Sequence, residues 1–163
     1  MNAVHFHLAL NHFPVVLSVF GLLLMIVAVL TENLFWKRAA VLALVGAALF
    51  AVPAFLSGEG AEHVLERIGT AKATIKPHER SAKLAFGAVL VTGGFSLLAW
   101  FAIISSYAHL RKVFAVLALV AASSAALMLY TSFEGGKIIH REIHGDTGIK
   151  QELQKAVPKH DDD

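Results

Sequence analysis

The sequence contains no cysteine among its 163 residues. This absence excludes disulfide bonds, thiolate metal sites, iron–sulfur clusters and covalent haem attachment through a CxxCH motif. Charge is also scarce: 16% of the residues are charged and the formal net charge is +2, which gives no support for nucleic-acid binding. No Lys or Arg precedes the first apolar run and no small-residue cleavage motif follows it, so we expect this run to stay as a membrane span.

Apolar residues, in contrast, are abundant and lie in long runs. A hydrophobic fraction of 56% and a mean hydropathy of +0.65 are too high for an ordinary soluble domain. Four runs without a charged residue reach the roughly 20 residues that cross a bilayer: 13–31, 39–57, 84–107 and 113–133. Because backbone groups in lipid must hydrogen bond within their own segment, each run is predicted to be a helix. The sequence therefore predicts an all-α integral membrane four-helix bundle over residues 1–145, with a polar C-terminal tail at 146–163.

A repeat with an offset of 75 residues relates the two halves of the bundle. The segment Val-Leu-Ala-Leu-Val at 41–45 recurs at 116–120, and Ser-Gly-Glu-Gly at 57–60 corresponds to Ser-Phe-Glu-Gly at 132–135. Short polar turns join the first span to the second and the third to the fourth. We therefore expect two repeated helical hairpins, related by a pseudo-twofold axis along the membrane normal.

Histidines gather at one end of the predicted spans, and His109 alone lies at the other end. Helix bundles hold cofactors between side chains of facing helices, and haem iron accepts two axial imidazoles from different helices. This pattern predicts one or two b-type haems. The candidate axial ligands, one per helix, are His12, His63, His78 and His140. Two further histidines on the same face, His7 and His144, are secondary candidates.

Charged residues on the histidine face suggest two more roles. Arg67, Arg80 and Arg141 are placed to pair with haem propionates. Glu59 and Glu134, which are equivalent in the repeat, follow spans two and four, where a desolvated carboxylate gains proton affinity. We predict that these two acids accept protons at a quinol-oxidising site. The alternative is that both are solvated acids at a helix–water border.

Two other functions fit the same histidine pattern. Imidazole rings are well suited to a membrane interface, so the chain also fits a cofactor-free structural or assembly subunit of a membrane complex. His140 and His144 are four residues apart and share a helix face, which is typical of zinc and copper sites. A copper- or zinc-binding membrane protein is therefore a third interpretation.

Several short motifs resemble those of a bacterial family. They are His7 with His12-Phe13-Pro14, the small-residue step at 57–61, His78-Glu79, and Gly135-Gly136. Residues 4–145 resemble an uncharacterised family of predicted four-helix membrane proteins, a domain of unknown function with an N-terminal His-Phe-Pro motif. The resemblance implies a four-span bundle in the bacterial inner membrane with functional residues on the periplasmic face and, by analogy, a redox subunit like a b-type cytochrome. The chain departs from the family's pattern in lacking Pro after His7.

The expected function is electron transfer between the quinone pool and a redox partner on the histidine-rich face. The chain would act as the quinol-oxidising or electron-transfer subunit of a larger membrane oxidoreductase. Counts of Lys and Arg near the spans would place the histidine face in the cytoplasm. Basic residues in both short turns and the resemblance favour the opposite orientation, with the histidine face and both termini in the periplasm, and we adopt that one. These bases are Lys37, Arg38, Arg111 and Lys112.

Overall fold

Four long helices and one short helix make up the fold. The computed structural model describes residues 3–67 and 72–139. The helices are α1 (Ala3–Leu10), α2 (His12–Thr31), α3 (Leu34–Arg67), α4 (Lys72–Ile104) and α5 (Leu110–Ile139). Four stretches are long and apolar enough to cross a membrane: Val4–Thr31, Leu34–Arg67, Thr74–Ile104 and Leu110–Ile138. The predicted all-α bundle of two helical hairpins is confirmed.

Each long helix packs against two others, so the bundle closes on itself. Helix α2 contacts α3, α3 contacts α4, α4 contacts α5, and α5 contacts α2, while α1 packs mainly along α3. Consecutive long helices run antiparallel because short connections join them. At two of these reversals Glu32 and Ser106 adopt a left-handed backbone with φ of 53°.

The first helix is interrupted at Asn11, between α1 and α2. Pro14 explains the position of the break. Its ring clashes with the carbonyl of Leu10, four residues earlier, and it has no N–H to offer that carbonyl. Helix α1 accordingly ends at Leu10, but Asn11 keeps a right-handed helical backbone (φ −62°, ψ −23°), so α1 and α2 form one nearly continuous segment that packs along α3.

Helices α3 and α4 are longer than the bilayer requires. The 34 residues of α3 span about 51 Å at 1.5 Å per residue, against a hydrocarbon thickness of about 30 Å. Helix α4 begins at Lys72, well before its charge-free run starts at Leu84. The two helices are joined at this end by an ion pair between Lys72 and Glu66 at 3.0 Å, and the bond to this carboxylate raises the pKa of Lys72. The histidine end of the bundle is thus a helical extension beyond the lipid core.

Small residues bring the central helices unusually close together. A Cβ atom added at Gly93 on α4 would lie 2.5 Å from the Cβ of Ala48 on α3, and one at Gly21 on α2 would lie 2.7 Å from a methyl carbon of Leu44. Such close approaches are typical of membrane helices, which associate by packing backbone against backbone.

The outer surface of the bundle is apolar. Leu30 is 78% exposed, Leu119 is 72% exposed and Leu56 is 69% exposed. A continuous apolar surface of this kind is unfavourable in water and favourable in contact with lipid acyl chains. The chain is therefore a multi-pass membrane protein in contact with the lipid bilayer.

Candidate histidine site

The first histidine of the site, His7, lies on α1 where this helix packs along α3. Its Nδ1 atom is 2.9 Å from the carbonyl oxygen of Ala54 and 3.1 Å from the hydroxyl of Ser57. Ser57 donates its own hydroxyl hydrogen to the same carbonyl at 2.9 Å. Because a carbonyl oxygen only accepts, Nδ1 carries the ring proton, and a neutral His7 then has its lone pair on Nε2.

The second histidine, His78, makes the corresponding contact in the other hairpin. It lies in the N-terminal part of α4, and its Nδ1 atom is 3.0 Å from the carbonyl oxygen of Thr131 on α5. The same reasoning assigns the proton to Nδ1 and the lone pair to Nε2. Both rings are therefore fixed by a backbone carbonyl of the neighbouring helix, and a neutral ring at either position has its lone pair on Nε2.

A glycine follows each of these carbonyls by four residues: Gly58 follows Ala54, and Gly135 follows Thr131. A helical carbonyl points toward the residue four positions on, so a side chain there would flank the path of the imidazole. A Cβ at Gly135 would lie 3.0 Å from Cε1 of His78, which is too close without displacement. A Cβ at Gly58 would lie 3.5 Å from Cε1 of His7, an ordinary contact.

The two contacts are similar in the two hairpins, because each joins a histidine of the first helix to a carbonyl of the second. The carbonyls of Ala54 and Thr131 are 77 residues apart, two more than the 75-residue offset of the repeat, so the contacts are not at equivalent positions of the repeat. Both imidazoles lie toward the same end of the bundle, His7 on α1 and His78 near the start of α4. The site thus consists of two imidazoles of the same tautomer, one from each hairpin, at the same end of the bundle.

The other residues proposed from the sequence lie outside this pair. His12 at the start of α2 and His63 on α3 are exposed, as are Arg67 and Arg80. The remaining candidates lie outside the described residues: His140, Arg141 and His144. Of the four proposed axial ligands the pair contains His78, and its partner is His7, a secondary candidate.

The two glutamates of the repeat have different surroundings. Glu59 is exposed. Glu134 is only 7% exposed, and its carboxylate accepts a hydrogen bond from Lys137 at 2.7 Å. The ammonium of Lys137 also lies 4.4 Å from the centre of the Phe133 ring. The Glu134 carboxylate is thus held in an ion pair with Lys137, whereas Glu59 is exposed.

The donor set distinguishes between classes of metal site. Across residues 3–67 and 72–139, no three His, Asp or Glu side chains are grouped closely enough to hold a metal ion. A zinc or copper ion takes three or four protein ligands, whereas haem iron is held by two axial imidazoles.

A known protein family matches most of the chain. The family described as "Predicted membrane protein (DUF2231)" matches residues 4–145, which is most of the chain. No curated protein and no solved structure matches the chain. The match agrees with the membrane fold and gives no information about the chemistry of the protein.

Proposed function

We propose a function for this chain, which belongs to the DUF2231 family of predicted membrane proteins: it binds b-type haem between its hairpins through His7 and His78. The protein would carry electrons between the quinone pool and a redox partner at the histidine face. The observation that carries this proposal is the pair of imidazoles, each with Nδ1 on a backbone carbonyl of the adjacent helix.

The two histidines fit the needs of an axial ligand. A histidine that binds metal donates its other ring N–H to a carbonyl or carboxylate, which fixes the ring's orientation and raises the basicity of the ligand nitrogen. His7 and His78 both have such a partner. They also come from different helices, as bundle cofactor sites require. Bound haem supplies one-electron redox chemistry, and the protein's part is to hold both imidazoles in the correct tautomer.

Charged residues at the same end complete the proposed site. Arg67 and Arg80 lie on the extensions of α3 and α4 beyond the lipid core, where a guanidinium can pair with a haem propionate. Glu59 is exposed and is the better candidate for accepting a proton from a quinol, because Glu134 is already paired with Lys137. We place the histidine end in the periplasm and the chain within a larger redox complex.

The rival interpretation is a structural subunit without a cofactor. The hydrogen bonds of His7 and His78 would then serve only to fasten α1 to α3 and α4 to α5. This interpretation predicts that both histidines contribute to stability and that the protein is colourless. Haem content and stability therefore separate the two functions.

The decisive experiment measures haem in ligand variants. The chain is expressed with haem supplied, purified in detergent, and assayed by pyridine haemochrome and by reduced-minus-oxidised spectra. We expect a b-type spectrum, with its loss or a change of spin state in His7→Ala and in His78→Ala. The exposed His12 and His63, changed to Ala, serve as controls that retain the spectrum. Normal spectra in both pair variants, or a colourless and stable wild-type protein, would refute the proposal.

A second test concerns Gly135, whose missing side chain leaves space for the His78 ring. In Gly135→Ala the new methyl group lies 3.0 Å from the His78 ring, so the ring must move by a few tenths of an ångström. We expect a shifted Soret band and reduced haem content. Gly136→Ala, whose Cβ meets nothing within 4 Å, is the matched control and should leave both unchanged. Identical spectra in the two variants would show that His78 is not a ligand.

A further inference from the structure

Four buried polar atoms have no hydrogen-bond partner within the described part of the chain. They are Oδ1 of Asn11, Oγ of Ser18, Oγ of Ser124 and Oγ1 of Thr131. Asn11, which precedes the first residue of α2, and Ser18 within α2 are seven residues apart. Ser124 and Thr131 are likewise seven residues apart on α5. A spacing of seven residues is two helical turns, so each pair lies along one face of its helix.

Contacts elsewhere fix the register between α2 and α5, which pack against each other. At the far end Arg111 pairs with Glu32 at 3.4 Å, and one level higher Met25 and Leu117 belong to the same buried cluster. Two turns further the same register places Ser18 level with Ser124. Another two turns place Asn11 level with Thr131. This register indicates that the four atoms line one seam between α2 and α5, on two successive levels.

The hydroxyls of this seam differ from others in the bundle. A serine or threonine in a membrane helix ordinarily donates to the carbonyl four residues before it. Thr92 does so at 2.8 Å, Ser96 at 2.8 Å and Ser123 at 3.1 Å. Ser18 and Ser124 are each only 1% exposed, and among the described residues neither hydroxyl makes such a bond. Their own helices therefore do not satisfy them.

We infer that ordered water molecules occupy the α2–α5 seam, from the level of Asn11 and Thr131 to that of Ser18 and Ser124. A buried hydroxyl without a partner is costly in a low-dielectric interior, and a water molecule that bridges two such groups removes the cost. The antiparallel helices place two polar groups at each level, and backbone carbonyls supply further partners for each water.

The two ends of the seam have different surroundings. Its upper level belongs to the histidine site, because the carbonyl of Thr131 is the acceptor for His78. Its lower level is followed by Met25 and Leu117, which are 0% and 1% exposed and offer no polar atom for a water chain. The water that we infer in the seam would therefore exchange with solvent through the histidine end. This inference does not depend on haem.

The test combines a double-mutant cycle with direct detection of water. Unfolding in sodium dodecyl sulfate is measured for Ser18→Ala, Ser124→Ala and the double variant. A water bridge predicts that each single change lowers the midpoint and that the second change has little further effect, with a coupling of roughly threefold or more in the unfolding equilibrium constant. Ser96→Ala, which removes a buried hydroxyl bonded within its own helix, is the control and should be additive with both.

Water itself is detected by solid-state NMR polarisation transfer from water to labelled serine and threonine in deuterated lipid. Rapid transfer to Ser18, Ser124 and Thr131, and slow transfer to Ser96, is the expected result. Additive changes that each raise the midpoint would show a dry seam. Coupling without transfer from water would show a direct Ser18–Ser124 bond. Either result would overturn the inference.

Discussion

Gly93 on α4 lies very close to Ala48 on α3, and this contact predicts the effect of a substitution. In Gly93→Ala the added methyl carbon would lie 2.5 Å from the Cβ of Ala48. Carbon atoms in contact prefer about 3.5–4.0 Å, so α3 and α4 must separate by roughly 1 Å or more. Ala48 has no side-chain torsion with which to move aside. We expect a loss of about 1–3 kcal/mol in unfolding free energy, which is typical of overpacking.

The neighbouring glycine supplies a matched control. A Cβ at Gly94 meets nothing within 4 Å, so Gly94→Ala should be neutral or should stabilise α4 by up to about 1 kcal/mol through its helix propensity. Both variants are unfolded with sodium dodecyl sulfate in mixed micelles and followed by far-UV circular dichroism. Adding Ala48→Gly to Gly93→Ala should restore most of the lost stability. Equal midpoints for the Gly93 and Gly94 variants, or no rescue by Ala48→Gly, would refute this account of the α3–α4 contact.

Two further predictions concern the turn and the buried ion pair. Ser106 has a φ of 53°, and this left-handed conformation costs a residue with a side chain about 1 kcal/mol or more. Ser106→Gly should therefore raise the unfolding free energy by about 0.5–1 kcal/mol. A decrease in the same detergent titration would contradict this prediction. Lys137→Met removes the ammonium 2.7 Å from Glu134, which is 7% exposed, and should cost about 1–3 kcal/mol. Adding Glu134→Gln should recover part of that loss, and an equally unstable double variant would show that the charge of Glu134 is not the cause.

The membrane architecture could be predicted from the sequence because lipid imposes a simple rule. A charge-free run of 20 residues has no other stable conformation in a bilayer, so the four spans were evident. Helix ends outside the lipid follow no such rule. Helix α4 starts at Lys72, before its apolar run, and continues through the charged residues and Pro77 that precede the lipid.

The histidine site could be predicted only in part. The sequence showed that histidines share one end of the bundle, but the pairing of His7 with His78 depends on helix register. The packing of α1 along α3 brings His7 to the carbonyl of Ala54, and this register is not visible in the sequence. Gly58 and Gly135 could be singled out from the sequence as motif residues. Their position beside the imidazoles of His7 and His78 is seen only in the structure. The same holds for the seam between α2 and α5. The seven-residue spacing of its polar residues can be read from the sequence, but which residues of the two helices lie at the same level follows from the Glu32–Arg111 ion pair.

The central claim is that His7 and His78 together bind one haem iron. Electron paramagnetic resonance of the oxidised, haem-loaded protein tests it most directly, with the wild type compared with His78→Ala. We predict a low-spin ferric signal of bis-imidazole type in the wild type, and its replacement by a high-spin signal or by loss of haem in the variant. A high-spin wild type, or an unchanged low-spin signal in His78→Ala, would contradict the claim.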